Sequence, residues 1–230
     1  MSTTELRKPR LRRILDGFPP DTRFVIYGVA WDDYERFVDS IPEGEICRVA
    51  FDGKDIEMMT LGPWHESEKS LVEAFIEIVA GELKIKRQPL GSTTWKRQKL
   101  NRAIESDLCY YFEMAKLEAY AAALRSNNVD DYPNPDLAVE IDISKPKIDR
   151  QGIYAALEVP EIWRSRKQSV SIEQLGPDGR YVKASRSRFL PVQSEDVTRW
   201  VFTEDSVGLV AWEERLRVWV RNELVSGWKA

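Results

Sequence analysis

A handful of acidic residues carry most of the chemistry that can be read from this sequence. In the stretch Asp136-Leu-Ala-Val-Glu140-Ile-Asp142-Ile143 a strand would alternate its side chains, placing Asp136, Glu140 and Asp142 on one face and Leu137, Val139, Ile141 and Ile143 on the other. Asp107 opens a second strongly apolar run, Leu108-Cys109-Tyr110-Tyr111, where a charge needs water or a partner at the strand end. Glu66 stands at the start of a long amphipathic segment. Each position also has a local explanation: a solvated strand face, a wetted strand end, a carboxylate favoured by the helix dipole. Taken in order, a helix acid, a strand aspartate and a strand glutamate suit phosphodiester hydrolysis. Hard cations such as Mg²⁺ or Mn²⁺ take a few carboxylate oxygens and keep several waters. Such an ion activates a bound water and stabilises the leaving oxygen.

Composition removes the main competitors. The 230 residues contain a single histidine, His65, and two cysteines, Cys47 and Cys109, so no tetrahedral Cys/His zinc site can be assembled. The sequence has no Gly-x-Ser-x-Gly elbow, phosphate-binding Gly-x-x-x-x-Gly-Lys loop or Gly-x-Gly-x-x-Gly turn. Catalysis by this chain would therefore rest on carboxylates. The cysteines read as buried thiols of a reducing cytoplasm. Met1–Arg13 holds Arg7, Lys8, Arg10, Arg12 and Arg13 without a following apolar core, which is a basic arm rather than a secretory signal. No apolar run approaches a membrane span. The net charge of −4 argues against coating nucleic acid but permits local basic strips. One strip holds Lys84, Lys86, Arg87, Lys96, Arg97, Lys99 and Arg102; the other holds Lys145, Lys147, Arg150, Arg164, Arg166 and Lys167. Residue by residue, solubility and surface ion pairs account for these. As a set they supply the DNA-contact candidates Lys96, Arg97 and Lys147.

Several elements must position the acids. The spacing predicts a short helix over 31–38 and a hairpin of Arg48–Phe51 and Ile56–Thr60 turning at Asp52-Gly53. Leu71, Val72, Phe75, Ile76, Val79 and Leu83 recur at helical steps, predicting a helix over 66–83. One or two short strands follow within 85–95. Strands are expected at 107–112, 136–143 and 162–166, and helices at 113–125 and 149–157, with a turn-rich loop at 127–135. A hairpin over 170–184 and helices at 194–201 and 207–224 complete an α/β (α+β) chain with a mixed central sheet. The arm is expected over about 1–24, the main domain over 1–190 and a packed C-terminal helical extension over 191–230.

At this point the sequence resembles a known family. Pro135-Asp136-Leu-Ala-Val-Glu140-Ile, followed by Ile153-Tyr154-Ala-Ala-Leu-Glu-Val-Pro-Glu161-Ile-Trp163-Arg164, is similar to the signature block of the Uma-two family of restriction-endonuclease-like DNA endonucleases. Tyr34-Glu35-Arg36, Asp52-Gly53 with Ile56-Glu57-Met58, His65-Glu66 and Gly91-Ser92-Thr93-Thr94 agree in order and spacing. The likeness spans roughly 25–190. It implies the PD-(D/E)XK nuclease fold. By carry-over Glu66, Asp107 and Glu140 would be catalytic and metal-binding. Asp136 and Asp142 would support them from behind.

Two positions depart from the family pattern. Ser106 stands where members have Pro, and Asp142 stands where the wider superfamily has Lys. A helix lysine appears in that role in the family, and the matching residue here is Arg150, which keeps the charge but cannot act as a general base. The resemblance thus implies a cytoplasmic, Mg²⁺- or Mn²⁺-dependent DNA endonuclease. A catalytically silent module binding DNA or a protein stands as the alternative. An RNA or single-strand substrate and a homodimer are left open.

Overall fold

Leu137, Val139 and Ile141 place their side chains on one face of a strand and Ala138 on the other, and both faces are buried. In the computed structural model, which describes residues 18–41, 47–125, 129–204 and 208–225, this strand lies in the middle of a six-stranded sheet. The strands of the chain are β1 (Arg23–Ile26), β2 (Cys47–Phe51), β3 (Ile56–Thr60), β4 (Gln88–Pro89), β5 (Thr94–Arg97), β6 (Arg102–Glu105), β7 (Leu108–Tyr111), β8 (Leu137–Ile141), β9 (Glu161–Ser165), β10 (Val170–Leu175) and β11 (Tyr181–Ala184). The helices are α1 (Trp31–Asp39), α2 (Pro63–Glu82), α3 (Met114–Ala123), α4 (Arg150–Ala156), α5 (Ser194–Thr198) and α6 (Leu209–Trp219). The six-stranded sheet runs β11-β10-β9-β8-β7-β4. It is mixed: β8 and β9 pair in parallel, joined by α4, and β7 and β10 flank them antiparallel. A second, antiparallel sheet runs β1-β3-β2-β6-β5.

The mixed sheet flanked by helices is the α+β architecture that the resemblance implies. Its one face, with Leu108, Tyr110, Leu137, Val139, Ile141 and Trp163, packs on Val72, Phe75, Ile76 and Val79 of α2. Trp200, Trp212, Leu216 and Val220 from the C-terminal helices join the same core. The opposite face, with Cys109, Tyr111, Ala138 and Ile162, packs on Ala50, Trp95 and Ile104 of the second sheet and on Ile153 and Tyr154 of α4. A third cluster seats Trp31 and Tyr34 of α1 on Phe51, Ile56 and Met58. The local alternative for the strand of Glu140, a solvated face, does not hold: that face looks into the interior between two sheets. Trp95 and Trp163 are core residues.

Local rules explain the boundaries. Pro63 begins α2 at its first position, three residues before the expected start, because a missing N–H costs nothing there. Gly53, at φ +96°, forms the β2–β3 turn; a Cβ there would lie 2.9 Å from the Asn101 carbonyl oxygen. Asp52 Oδ1 accepts from the Lys54 and Asp55 amides in the same turn. β1 and β6 were not expected. Arg23 and Phe24, assigned to the arm by sequence, begin β1 and pair with Met59 and Met58. The basic stretch 1–13 lies outside the described residues, as do parts of the 127–135 loop and the start of the helix expected from 207. Among the described residues no helix is long and apolar enough to cross a membrane.

Candidate active site

The chain passes from one sheet to the other through Ser106-Asp107, between β6 and β7. Asp107 thus lies one step beyond the Leu108–Val139 pair, on the strand next to that of Glu140. Its amide donates to the Val139 carbonyl (3.1 Å), and its Oδ2 accepts from the Ile141 amide (2.8 Å). The N-terminal end of β7 and the C-terminal ends of β8 and β9 fall at the same edge, the usual place for a site in an α/β sheet. Asp107, Glu140 and Asp142 are each at most 1% exposed.

Buried carboxylates need cations or hydrogen bonds, and arginines from four elements supply them. Arg150 opens α4. Asp149 caps that helix, accepting from the Gly152 amide at 2.9 Å. Arg150 Nη2 contacts both Glu140 oxygens, at 2.7 and 2.6 Å. Tyr154, one turn on and so on the same helix face, donates its hydroxyl to Glu140 Oε1. Arg150 Nη1 also reaches Glu57 Oε1 on β3, at 3.4 Å. Arg23 on β1 bridges Glu57 and Asp142, 2.6 Å from each. Asp142 is held from its other side by Arg164 Nη1 of β9, at 2.5 Å. Arg48 on β2 donates to Asp107 Oδ1 (3.2 Å), to Glu105 Oε1 (2.9 Å) and to the Ser92 hydroxyl (2.7 Å). Ser92 in turn donates to the Asp107 carbonyl.

The first turns of α2 close the site. His65 is fully buried, with Nε2 3.1 Å from Asp107 Oδ1 and Nδ1 3.1 Å from Glu66 Oε1. Burial alone would lower the His65 pKa, but the adjacent Asp107 carboxylate, then Glu66, outweigh it and hold the pKa above its ordinary 6.5. Burial likewise pushes against ionised Asp107, yet His65, the Ile141 amide and Arg48 bring its pKa below the usual value. Burial raises the Glu140 carboxyl; Arg150 pulls it back, and the charges of Asp107 and Asp142 leave it above the ordinary range. Arg150 remains charged because the neighbouring Glu140 outweighs its desolvation.

The structure thus brings Asp107, Glu140, Arg150 and Asp142 into one network. Glu66 joins its rim, half-exposed and tied to His65 and Lys69. Asp136 stands apart, at the opposite end of β8. Its Oδ2 accepts from the Phe112 and Glu113 amides and its Oδ1 lies 2.7 Å from Lys116, so it secures the start of α3. Of the DNA-contact candidates, Arg97 lies over the Trp95 ring and donates to the Tyr132 carbonyl. Lys147 donates from Nζ to the Arg23 carbonyl and from its amide to Glu57. Both are engaged within the fold, and Lys96 lies on the edge strand β5. Sequence reasoning passed over Arg23, Arg48, Glu57 and Tyr154 and gave His65 no role. The available signal was a lone charge inside an apolar strand: Arg48 beside Cys47 and Val49, and Glu57 between Ile56 and Met58.

Beside Arg150 a cavity of about 290 Å³ opens at this edge, lined by Lys145, Arg164 and Arg166 together with Asp142 and Glu173. Arg150 lines it too, and its buried Nε has no hydrogen-bond partner among the described residues. Its charged lining is mixed, four cations beside Asp142, Asp149 and Glu173, with Arg164 paired to Asp142 and Glu173.

Mg²⁺ or Mn²⁺ would find the right class of donor here, hard carboxylate oxygens, but not the right arrangement. Both oxygens of Glu140 are held by Arg150, and those of Asp107 accept from Arg48 and Ile141. Among the described residues no group of three or more acidic, histidine or cysteine side chains is disposed to hold a metal ion. As folded, the site does not fit the ion.

Comparison with known families gives a match over most of the chain. The model of the Uma2 (Uma-two) family, described as "Putative restriction endonuclease", matches residues 31–203, well over half of the chain. No curated protein matches it.

Proposed function

Because the chain belongs to the Uma2 family, we propose that it is a DNA endonuclease whose working site is the edge formed by Asp107, Glu140 and Arg150. The observation that carries this reading is the convergence of those three residues at one end of the mixed sheet, beside a cavity whose lining includes Lys145, Arg150, Arg164 and Arg166. In this reading a backbone phosphate enters the cavity and takes hydrogen bonds from Arg150, with Arg164, Arg166 and Lys145 adding positive charge. Preorganised cations at the phosphoryl oxygens stabilise the charge that builds there during attack. A guanidinium drawn toward phosphate loosens its hold on Glu140, and the freed carboxylate is then placed to accept a proton from an attacking water. The water oxygen bonds to phosphorus as the P–O bond to the leaving sugar oxygen breaks, and that oxygen takes a proton from solvent. His65 and Arg48 keep Asp107 oriented meanwhile. The Mg²⁺ or Mn²⁺ implied by the resemblance would have to displace Arg150 from Glu140, or Arg48 from Asp107, before reaching an inner-sphere oxygen.

A second reading, a DNA-binding module that does not cut, is favoured by the same contact seen from the other side: both oxygens of Glu140 are engaged by Arg150, and Tyr154 adds a further bond. Incubation with supercoiled plasmid, with and without Mg²⁺ or Mn²⁺, separates the two. The endonuclease reading expects nicking by wild type and its loss in Glu140→Ala. Retention of plasmid in a gel shift with no nicking under either metal would leave the binding module.

A further inference from the structure

Asp107 and Glu140 are the acids on which a metal-dependent reading depends, and each of their oxygens already has a donor built into the fold. Glu140 is gripped by Arg150, 3% exposed, and by Tyr154, which is fully buried. Arg150 is itself held from behind by Glu57. Asp107 accepts from the Ile141 backbone and from Arg48, which Glu105 and Ser92 hold in place. Four arginines, Arg23, Arg48, Arg150 and Arg164, stand against four buried carboxylates, Glu57, Asp107, Glu140 and Asp142. Glu105 at Arg48 and Glu173 at Arg164 add two further carboxylates, so each of these acids already has a guanidinium partner without any added ion.

We infer that the Arg150 guanidinium fills the place of a cation on Glu140, so that the folded chain by itself keeps divalent metal off these carboxylates, and that removing the guanidinium opens them to metal. Inner-sphere oxygens lie only ~2.0–2.6 Å from such an ion, so metal and guanidinium cannot share Glu140 in its present pose. In this buried setting two cations side by side also repel more strongly than in water. Taking Arg150 away removes one cation from this acid-rich network and leaves the two Glu140 oxygens without their guanidinium partner. The inference concerns the site proposed above, yet it is decided without nucleic acid.

The test titrates the full chain with Mn²⁺ alone and counts bound ions from the loss of the free-ion paramagnetic signal, with circular dichroism confirming the fold of each variant. Wild type and Arg150→Lys, both charged at 150, should leave the free Mn²⁺ signal unchanged. Arg150→Gln should gain a bound Mn²⁺, and adding Glu140→Gln to it should remove that ion again. Mn²⁺ bound by wild type and lost in Glu140→Gln would overturn the inference. So would a folded Arg150→Gln that stays silent. Should Arg150→Gln fail to fold, the wild-type and Glu140→Gln titrations decide alone, silence supporting the inference and site-specific binding overturning it. Absence of DNA binding or cleavage would remove the proposed function and leave this result untouched.

Discussion

Arg150 holds both carboxylate oxygens of Glu140 through one guanidinium nitrogen, at 2.7 and 2.6 Å, with the two side chains no more than 2% exposed. Taking two charges out of water is costly, and their mutual attraction recovers that cost only while both partners are present. The pair is therefore better understood as a fixed geometry than as a source of stability. What it does chemically is set where a positive charge stands at the edge of the mixed sheet.

Removing one partner of this pair should be far worse than removing both. Arg150→Ala is expected to cost about 3–5 kcal/mol, the usual penalty for stranding a buried charge. In a chain of this length that corresponds to a fall in Tm of very roughly 2–4 °C per kcal/mol. Adding Glu140→Gln should recover a large part of the loss. Urea melts of the single and double variants check the sign; a double variant less stable than Arg150→Ala would contradict it.

Cleavage should depend on the charge at position 150 more than on its identity. Arg150→Lys is expected to nick plasmid at a rate near that of wild type. Arg150→Ala, assayed at a temperature where it stays folded, should lose ~10²–10³ in rate, the typical effect of deleting one preorganised charge contact. If lysine instead raises the rate sharply over wild type, a group able to shed its proton is what the site requires.

The His65–Asp107 contact should write itself into the pH dependence of stability. The His65 pKa is raised above 6.5 in the folded chain, so its contribution is complete below that value and is lost as pH rises through the raised pKa. The Asp107 pKa is lowered from 3.8, so its contribution is complete above that value and is lost as pH falls through the lowered pKa. Both are fully present only between these ordinary values. Glu66, Asp107 and Glu68 all act on the imidazole, so the comparison must be with His65→Gln rather than with wild type alone. The stability difference between the two should shrink as pH rises above 6.5. A difference that stays constant from pH 6 to 9 would show that His65 does not carry the charge.

The C-terminal helices should matter to the whole fold and not merely to themselves. Trp212 is fully buried in the cluster that holds Phe75 and Trp163, and its indole N–H donates to the Trp200 carbonyl at 2.9 Å. Arg217 and Arg221 clasp Glu82 at the end of α2. Trp212→Ala is expected to cost about 3–5 kcal/mol through the cavity and the orphaned carbonyl. Arg221→Ala, on an exposed pair screened by solvent, should cost far less. Thermal melts showing similar effects for the two would argue that the helices are peripheral.

Much of the positioning apparatus was legible in the sequence because it obeys short-range rules. The three- and four-residue steps from Leu71 to Leu83 specify α2, the alternation from Leu137 to Ile141 specifies β8, and the helix expected over 149–157 is α4, with Arg150 at its first position. The order of Asp107, Glu140 and Arg150 along the chain follows from the same rules. β1 and β6 escaped because Arg23-Phe-Val-Ile26 and Arg102-Ala-Ile-Glu105 are only four residues long and each begins with an arginine, which a local reading assigns to solvent. Only the tertiary structure decided that the charged face of β8 is dry, because dryness depends on which surface lies across from it, here a second sheet built from strands far away in sequence. Arg23 meets Asp142 across 119 residues, and nothing within either segment encodes the other. Alternation of side chains sets which way a carboxylate points; the packing of two sheets sets whether it meets water, a metal or a guanidinium.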